Sequence, residues 1–356
     1  FPPRAGVRLV ADTIRFTAAE MPKFHPVSIS GYHIREAGST AAQELAFTLA
    51  NGFAYVEAAM RAGLDVDAFA PRLSFFFNAH IDFFEEIAKY RAARRIYARW
   101  MKERYGASKE RSMQMRFHTQ TAGVSLAAVQ PEVNIVRTAI EALAGVLGGT
   151  QSLHTNSLDE VLALPTERAA RIALRTQQVI AHESRVANVA DPLGGSWYVE
   201  ALTDEMERQA EEIFERLLEF GSGSMLDGAV VGIESGWTMS EIADSAYALE
   251  RARNSGAHVM VGVGVFTEGN EEPLPEILRI GLDVEEAQVK RLADVRANRN
   301  PAAVDAALAE VRRVAAEPTE NTMPALIDAV RAYASIGEIS AALADVFGRY
   351  VETPVT

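Results

Sequence analysis

The sequence contains no cysteine among its 356 residues. Disulfides, thiolate metal sites and a cysteine nucleophile are therefore excluded. It also has no apolar run near the roughly 20 residues that span a bilayer, and no segment with the charged, apolar and small-residue succession of a signal peptide. We therefore expect a cytoplasmic protein that does not associate with a membrane.

Positive charge is scarce. Lysine and arginine total 35 against 48 acidic residues, a formal net charge of -13. This balance disfavours nonspecific attraction to nucleic acid, and we expect no such partner. An anionic ligand would need local arginines, which makes Arg72 and Arg116 of interest. Hydrophobic residues make up 48% of the chain, enough for a substantial core.

Four short apolar runs in the first half each end in polar residues. They read VSISGYH at residues 27–33, LSFFFNAH at 73–80, MRFHTQ at 115–120 and TQSLHTN at 150–156. Helix-length segments follow each run, and a further helix is predicted before the first. This alternation predicts four βα units with a parallel sheet, whose ligands bind at the carboxyl ends of the strands.

The predicted helices of this half have apolar residues at helical spacing. They lie at residues 6–19, 41–62, 83–105, 133–146 and 165–183. The arginines of the third helix are predicted to form a solvated face rather than a binding patch. These arginines are Arg91, Arg94, Arg95 and Arg99.

Beyond Pro192 the pattern becomes mainly helical, after a turn-like LGGSW segment. The predicted elements are a helix that ends near residue 219, a single strand at 258–266, and helices at 240–254, 285–297, 302–316, 323–334 and 336–347. We therefore predict a first domain at residues 1–192 and a helical linker or subunit-interaction region at 193–356.

Four βα units are too few for a closed eight-stranded barrel, which takes about 250 residues, but their spacing matches half of one. The predicted fold is therefore α/β, with the C-terminal half of a TIM (β/α)8 barrel followed by a mainly helical domain. Since the chain opens on FPP without an initiator methionine, we expect the other four strands on an N-terminal barrel segment that precedes Phe1.

Five motifs, in this order along the chain, resemble the large subunit of the methylmalonyl-CoA mutase family. They are SISGYHIREAG at 28–38, FAPRLSFF at 69–76, HTQTAG at 118–123, NIVRTAIEA at 134–142 and GGTQSLHTNSLDE at 148–160. The resemblance extends to about residue 350. It implies an isomerase whose barrel binds an acyl-CoA beneath adenosylcobalamin and which moves the thioester-bearing carbon by a radical 1,2-migration.

The resemblance implies that His33 and Tyr32 are the catalytic candidates. The His33 imidazole would donate a hydrogen bond to the thioester carbonyl without transferring a proton. The Tyr32 ring would lie against the adenosyl group or the substrate. From the residues alone, a structural histidine at a strand end and a tyrosine packed in the core are equally good interpretations.

The resemblance assigns Arg72, Ser74, His118, Gln120 and Gln151 to acyl-CoA binding. The first two alternate on the predicted second strand and would point to the same side. His118 and Gln120 would share a face of the third strand, and Gln151 would open the fourth. The alternatives are an arginine that locks a loop after a proline, and neutral polar groups that hydrogen-bond between strands.

The resemblance also implies that Gly123, Glu160 and Ala163 contact the cofactor. Glu160 would accept hydrogen bonds from the adenosyl ribose, and Gly123 would let the backbone approach the corrin. Ala163, one helical turn beyond Glu160, would lie on the same face. The alternative is that Asp159 and Glu160 are acidic residues that stabilise the start of a helix.

The sequence predicts no metal site of its own. Four histidines lie in or near the predicted strands, but no carboxylate accompanies them at ligand spacing. They are His33, His80, His118 and His154. No Asp-x-His-x-x-Gly loop is present, so the resemblance implies that a separate small cobalamin-binding subunit supplies the lower cobalt ligand. A homodimer or a heterotetramer is then expected.

One segment departs from the methylmalonyl type, which has a Trp followed by Gly-Ile-Gly. Here these positions hold Phe77, Asn78, Ala79 and His80, and Val124 replaces a second Trp. This pattern is similar to the isobutyryl-CoA mutase branch and predicts conversion of isobutyryl-CoA to n-butyryl-CoA. The alternatives within the family are methylmalonyl-CoA and 2-hydroxyisobutyryl-CoA.

Two functions from other classes stay open. Half a barrel leaves two unpaired strand edges, which would suit a noncatalytic assembly scaffold. A cofactor-free barrel hydrolase or lyase would instead use His33 with Glu36.

Overall fold

The computed structural model describes residues 1–271 and 273–352. The helices are α1 (Pro3–Glu20), α2 (Tyr32–Glu36), α3 (Ala41–Arg61), α4 (Val66–Phe69), α5 (Phe83–Glu103), α6 (Glu110–Met113), α7 (Val133–Leu147), α8 (Glu167–His182), α9 (Trp197–Phe220), α10 (Met225–Glu234), α11 (Trp237–Asn254), α12 (Leu282–Asn298), α13 (Pro301–Ala316), α14 (Thr322–Arg331) and α15 (Ile336–Phe347). The strands are β1 (Ser28–Ser30), β2 (Ser74–Ala79), β3 (Phe117–Thr121), β4 (Ser152–His154), β5 (Met260–Val261) and β6 (Gly264–Val265). None of the described helices combines the length and apolar character needed to cross a lipid bilayer.

The chain divides into two compact units, and both are discontinuous in sequence. One contains Phe1–Val27, Tyr55–Arg72 and the described chain from Ile280 onward. The other contains Ser28–Ala54 and Leu73–Arg279. Neither unit ends at the predicted boundary after residue 192, because α9 packs against α5 within the second unit.

The second unit contains a four-stranded sheet in the order β1-β2-β3-β4, with every pair parallel. Helix α3 follows β1, α5 follows β2, α7 follows β3 and α8 follows β4. The predicted succession of four parallel βα units is therefore confirmed, with shorter strands than predicted.

The two faces of this sheet differ in polarity. Phe76 pairs with His118, and Gln120 with His154, so these side chains point to one side. These four side chains are half-buried or exposed, whereas Asn78, which pairs with Gln120 on the same side, is buried. The opposite face is buried, and its residues are Ile29, Phe75, Phe77, Phe117 and Thr119. The long helices α3, α5 and α7 pack against the apolar side, whereas only the short helix α2 among the described helices is seen to contact the polar side, through Tyr32 on Phe76.

Close packing of α3 on the sheet depends on Gly52. A Cβ atom there would lie 2.7 Å from a ring carbon of Phe75. The neighbouring Phe53 stacks on Trp100 of α5 with ring centroids 4.7 Å apart. The small residue thus brings α3 against β2 and aligns the aromatic rings behind the sheet.

The prediction that the arginines of α5 form a solvated face is wrong, because three of them pair with acidic residues on α9 or in the segment before it. Arg95 contacts Asp204 at 2.6 Å, and Arg99 contacts Glu211 at 2.5 Å. Arg91 pairs with Asp191 and Glu200. Arg94 donates to the Gly148 carbonyl at 2.5 Å. A charged stripe seen in one segment does not reveal the acidic stripe that faces it from a distant helix.

The short helices α4 and α6 were not predicted, and two longer regions also differ from the prediction. Helix α10 was not predicted, because Gly228 and Gly232 lower helical propensity; a Cβ at Gly228 would lie 1.9 Å from the Leu217 carbonyl oxygen. The predicted strand at 258–266 is instead the short pair β5 and β6. Gly262 and Gly264 have φ values of 85° and 78°, which interrupt an extended strand.

The first unit is helical. Helices α14 and α15 pack on α13 around a buried apolar cluster that includes Val304, Val311 and Ala329. Buried Asp12 of α1 accepts hydrogen bonds from the backbone N–H and hydroxyl of Thr322, both at 3.0 Å. This contact fixes α1 to the start of α14.

Candidate active site

Tyr32 and His33 do not close β1 as predicted; they begin the short helix α2. The chain turns at Gly31, whose N–H still donates to the Phe76 carbonyl at 2.8 Å, and where a Cβ would lie 1.8 Å from the Thr48 hydroxyl oxygen. The His33 side chain is exposed, and its imidazole has no hydrogen bond within the described chain. Partial desolvation lowers the pKa of His33 below its usual 6.5. A neutral imidazole is thus available to a ligand.

Tyr32 and Gln120, predicted separately, lie together. The Gln120 Nε2 donates to the Tyr32 hydroxyl at 2.9 Å and to Asn156 Oδ1 at 3.0 Å. The Tyr32 ring stacks on Phe76 at 5.2 Å. Burial, then the nearby Glu36 carboxylate, raises the pKa of Tyr32 well above 10. The phenol is therefore neutral at physiological pH and joins the ends of three βα units.

Glu36 is a site residue that the predicted binding and catalytic set missed. Its carboxylate accepts hydrogen bonds from Asn78 Nδ2 at 2.6 Å, Gly123 N at 3.0 Å and Val124 N at 2.9 Å. Burial raises the pKa of Glu36, although these donors act in the opposite direction. The sequence signal was its i, i+4 spacing from Tyr32, which places both on one face of α2.

Gly123 lies against the same carboxylate. A Cβ at this position would lie 3.1 Å from Glu36 Oε2 and 3.6 Å from the Tyr32 hydroxyl oxygen. A side chain would fill the space between the loop after β3 and α2. The glycine thus lets the loop backbone approach Glu36 and Tyr32 closely.

Glu160 and Ala163 are not one helical turn apart, because the chain between β4 and α8 forms turns rather than a helix. Asp159 is buried and accepts from Ser157 Oγ at 2.6 Å and Thr166 N at 3.0 Å, so it holds the start of α8. Glu160 is exposed and has no side-chain hydrogen bond or ion pair within the described chain. It lines a cavity of about 220 Å³ together with His154. Of the two acids, only Glu160 is available to a ligand.

Arg72 is not on β2, contrary to the prediction. It ends a 3-10 turn at Ala70–Arg72, and its Nε donates to the Pro22 carbonyl at 2.6 Å. The arginine therefore fastens a loop, as the alternative interpretation stated. Ser74 is the first residue of β2. Because Arg72 lies outside β2, the predicted alternation of Arg72 and Ser74 on one strand is wrong.

His118 and Gln120 share a face of β3, as predicted. His118 Nδ1 forms a hydrogen bond with Ser152 Oγ at 2.7 Å, and desolvation lowers the pKa of this imidazole. Gln151 precedes β4 rather than opening it. Its Oε1 accepts from Phe117 N at 2.6 Å, and its Nε2 donates to the Gly149 carbonyl at 3.0 Å. Both ends of the Gln151 side-chain amide thus hydrogen-bond to the backbone.

These groups suit binding and orientation. They comprise a neutral phenol, a neutral imidazole, two amides and an unpaired carboxylate. His33 and Glu36 form no hydrogen bond with each other, so the acid–base pair required by the hydrolase or lyase alternative is not assembled. Across residues 1–271 and 273–352, no three acidic, histidine or cysteine side chains gather as a metal site.

Comparison with known proteins gives matches along nearly the whole chain. The family model for methylmalonyl-CoA mutase matches residues 1–349. The chain is 48% identical over 355 residues to the 2-hydroxyisobutanoyl-CoA mutase large subunit of Aquincola tertiaricarbonis, covering 100% of this chain and 62% of that protein. It is 48% identical over 351 residues to methylmalonyl-CoA mutase of Cereibacter sphaeroides, covering 98% of this chain and 48% of that protein.

A relative with lower identity also matches nearly the whole chain. The chain is 41% identical over 350 residues to human mitochondrial methylmalonyl-CoA mutase, with coverage of 98% of this chain and 46% of that protein. The chain thus spans about half of the length of most of these relatives.

Proposed function

Because this chain belongs to the methylmalonyl-CoA mutase family, we propose that it forms part of the large subunit of an adenosylcobalamin-dependent acyl-CoA mutase. Such an isomerase moves the thioester-bearing carbon to the adjacent carbon. The observation that supports this most directly is the junction of Tyr32 with Gln120 beside the unpaired imidazole of His33. It lies at the carboxyl end of a parallel sheet, where ligands bind.

In this proposal His33 binds the thioester carbonyl oxygen through a ring N–H. The lowered pKa of His33 keeps the imidazole neutral, so it stabilises charge on the oxygen without giving up a proton. Tyr32 presents its ring to the reacting carbons, and its raised pKa keeps the phenol from ionising. Ser74, His118 and Gln120 provide polar contacts along the acyl-CoA, and Gln151 holds the backbone that precedes β4.

The residues fit the cofactor. Gly123 presents no side chain beside Tyr32, so its backbone can approach a flat group closely, and the unpaired carboxylate of Glu160 can accept hydrogen bonds from ribose hydroxyls. When bound, adenosylcobalamin supplies the carbon radical that starts the rearrangement. Ala163 lies in the same turn region as Glu160. We propose that a separate small subunit supplies the lower cobalt ligand, which agrees with a relative named as a large subunit.

The proposed substrate is isobutyryl-CoA, because Phe77, Asn78 and His80 replace the residues of the methylmalonyl type. The alternatives are 2-hydroxyisobutyryl-CoA and methylmalonyl-CoA, since the chain is 48% identical to a relative named for each of these substrates. Preceding strands are proposed to complete the barrel, and pairs of large and small subunits to form the enzyme.

The test is an assay of the complete enzyme, with its upstream strands and small subunit. Isobutyryl-CoA, 2-hydroxyisobutyryl-CoA and methylmalonyl-CoA are each incubated with and without adenosylcobalamin. Because substrate and product are isomers of equal mass, the products are separated by liquid chromatography and identified against authentic standards. We expect cofactor-dependent isomerisation that His33→Gln lowers strongly and the exposed His182→Gln does not. Turnover without the cofactor would indicate the hydrolase or lyase. Cofactor binding without turnover of any substrate would indicate the scaffold.

A further inference from the structure

Asn78 is held in place by buried charges behind the sheet. Its N–H donates to Glu44 Oε1 at 2.6 Å, and its carbonyl oxygen accepts from Lys89 Nζ at 2.8 Å and the Tyr90 hydroxyl at 2.5 Å. Asn78 itself is fully buried. Both of its main-chain polar groups are therefore bound by side chains of α3 and α5.

The charges that hold Asn78 form a closed set. Lys89 Nζ lies 2.5 Å from Glu44 Oε2 and 2.5 Å from Glu86 Oε2, and all three side chains have 0% exposure. Removing such charges from water is costly, and the attraction offsets that cost only in a well-defined geometry. The end of β2 is therefore fixed with little freedom.

The side chain of Asn78 hydrogen-bonds to one residue of the described chain, Glu36. Its Nδ2 donates to Glu36 Oε1 at 2.6 Å, whereas its Oδ1 is buried without a hydrogen bond in the described chain. A buried oxygen without a hydrogen bond is unfavourable, so the amide would turn elsewhere without a strong bond to hold it. A charge-assisted bond to an ionised Glu36 is such a bond.

Glu36, whose carboxylate is held by Asn78, in turn binds the loop after β3. Its two oxygens accept from the consecutive N–H groups of Gly123 and Val124 at 3.0 and 2.9 Å. Gly123 lies beside both the Glu36 carboxylate and the Tyr32 hydroxyl, so the position of this loop relative to Tyr32 depends on that carboxylate.

We propose that Glu36, oriented by Asn78, is a positioning residue of the proposed reaction: its carboxylate fixes the loop at Gly123 and Val124 against Tyr32. The expected effect on kcat rests on the proposed function. The expected effect on the position of the loop rests on the observed contacts alone.

The protonation state of Glu36 decides whether it can accept all three hydrogen bonds. The charged and titratable groups that face it are Arg35 and Tyr32 on its own helix and Glu141 on α7. The Asn78 and loop donors favour the ionised form, and burial opposes it. Loss of the Asn78 donor raises the pKa of Glu36, so the ionised form then requires a higher pH.

The kinetic test compares Glu36→Gln, Asn78→Leu and the exposed control Glu132→Gln in the complete enzyme. We expect Glu36→Gln to lower kcat about tenfold or more with KM for the acyl-CoA within about twofold, and to abolish the acidic limb of the kcat–pH profile. Asn78→Leu should move that limb to higher pH. Equal losses at every pH, with an unmoved limb, would overturn the positioning role.

A second measurement separates this inference from the proposed function. Hydrogen exchange of the amides of Gly123 and Val124 is followed by mass spectrometry in the same proteins. Faster exchange in Glu36→Gln and Asn78→Leu, but not in Glu132→Gln, supports the positioning role even if no acyl-CoA is turned over. Unchanged exchange in both variants would overturn it, whatever the activity. The two variants alter different groups, so one that fails to fold leaves the other as a test.

Discussion

Gln120 donates a hydrogen bond from Nε2 to the hydroxyl oxygen of Tyr32 at 2.9 Å. The same nitrogen donates to Asn156 Oδ1 at 3.0 Å. One amide group at the end of β3 therefore joins the residues that follow β1 and β4. The half-buried polar face of the sheet ends in a fixed set of donors and acceptors rather than in independent side chains.

Gln120→Leu removes both donated hydrogen bonds and leaves two acceptors unpaired. We expect a loss of about 1–3 kcal/mol in the free energy of unfolding, because each partner retains the cost of its desolvation. The measurement is urea unfolding followed by circular dichroism. The exposed Gln114→Leu is the control and should change stability by less than about 0.5 kcal/mol. Equal stability of the two variants would show that this junction contributes nothing to the fold.

Local sequence patterns predicted most of the fold. Helix α15 begins and ends at the predicted residues because Ser335 and Glu338 form a capping box directly before an apolar periodic segment. The end of β1 was missed because residues 27–33 read as one apolar run. The turn at Gly31 depends on Thr48, whose hydroxyl occupies the space of a Cβ. Such a contact between separate segments leaves no local pattern.

The candidate site was predictable where strand order alone decides position. Tyr32 and Gln120 meet because the carboxyl ends of parallel strands lie at one edge of a sheet. The role of Glu36 was not predictable in this way, because its donors at Asn78 and Gly123 lie far along the chain. The role of Arg72 depends on the carbonyl of Pro22, which no residue pattern identifies.

Lys89→Met should strongly destabilise the protein. Glu44 and Glu86 would remain buried without their shared cation, and removing one partner of a buried pair costs about 3–5 kcal/mol. Chemical denaturation measures the change. Arg171→Met, which breaks the exposed pair with Glu167, is the control and should have little effect. If both variants were equally stable, the fixed geometry attributed to this buried triad would be contradicted.

His80 should make the protein less stable in acid. Burial, followed by the positive charge of Arg35, lowers the pKa of His80 from 6.5 to about 3 in the folded state. Between these values the unfolded chain binds a proton that the folded chain does not, so stability falls as pH falls from 6.5.

The measurement is the free energy of unfolding between pH 7 and pH 4. His80→Asn should reduce its slope by up to about 1.4 kcal/mol per pH unit, and the exposed His182→Asn should not. Glu44, whose pKa is raised by burial, contributes with the opposite sign in part of this range. Its contribution is common to all three proteins, so an unchanged slope in His80→Asn would refute the assignment to His80.

The two helix glycines Gly52 and Gly6 should respond in opposite ways to alanine. A Cβ at Gly52 would lie 2.7 Å from Cε1 and 2.9 Å from Cζ of the Phe75 ring, whereas nothing lies within 4 Å of one at Gly6. Gly6→Ala should stabilise by about 0.5–1 kcal/mol, because alanine restricts the unfolded chain and favours the helix. Gly52→Ala receives the same benefit, but overpacking against a buried ring typically costs about 1–3 kcal/mol, so a net loss is expected. Thermal unfolding of both variants measures the difference, and a Gly52→Ala protein as stable as Gly6→Ala would mean that α3 can move away from β2 without cost.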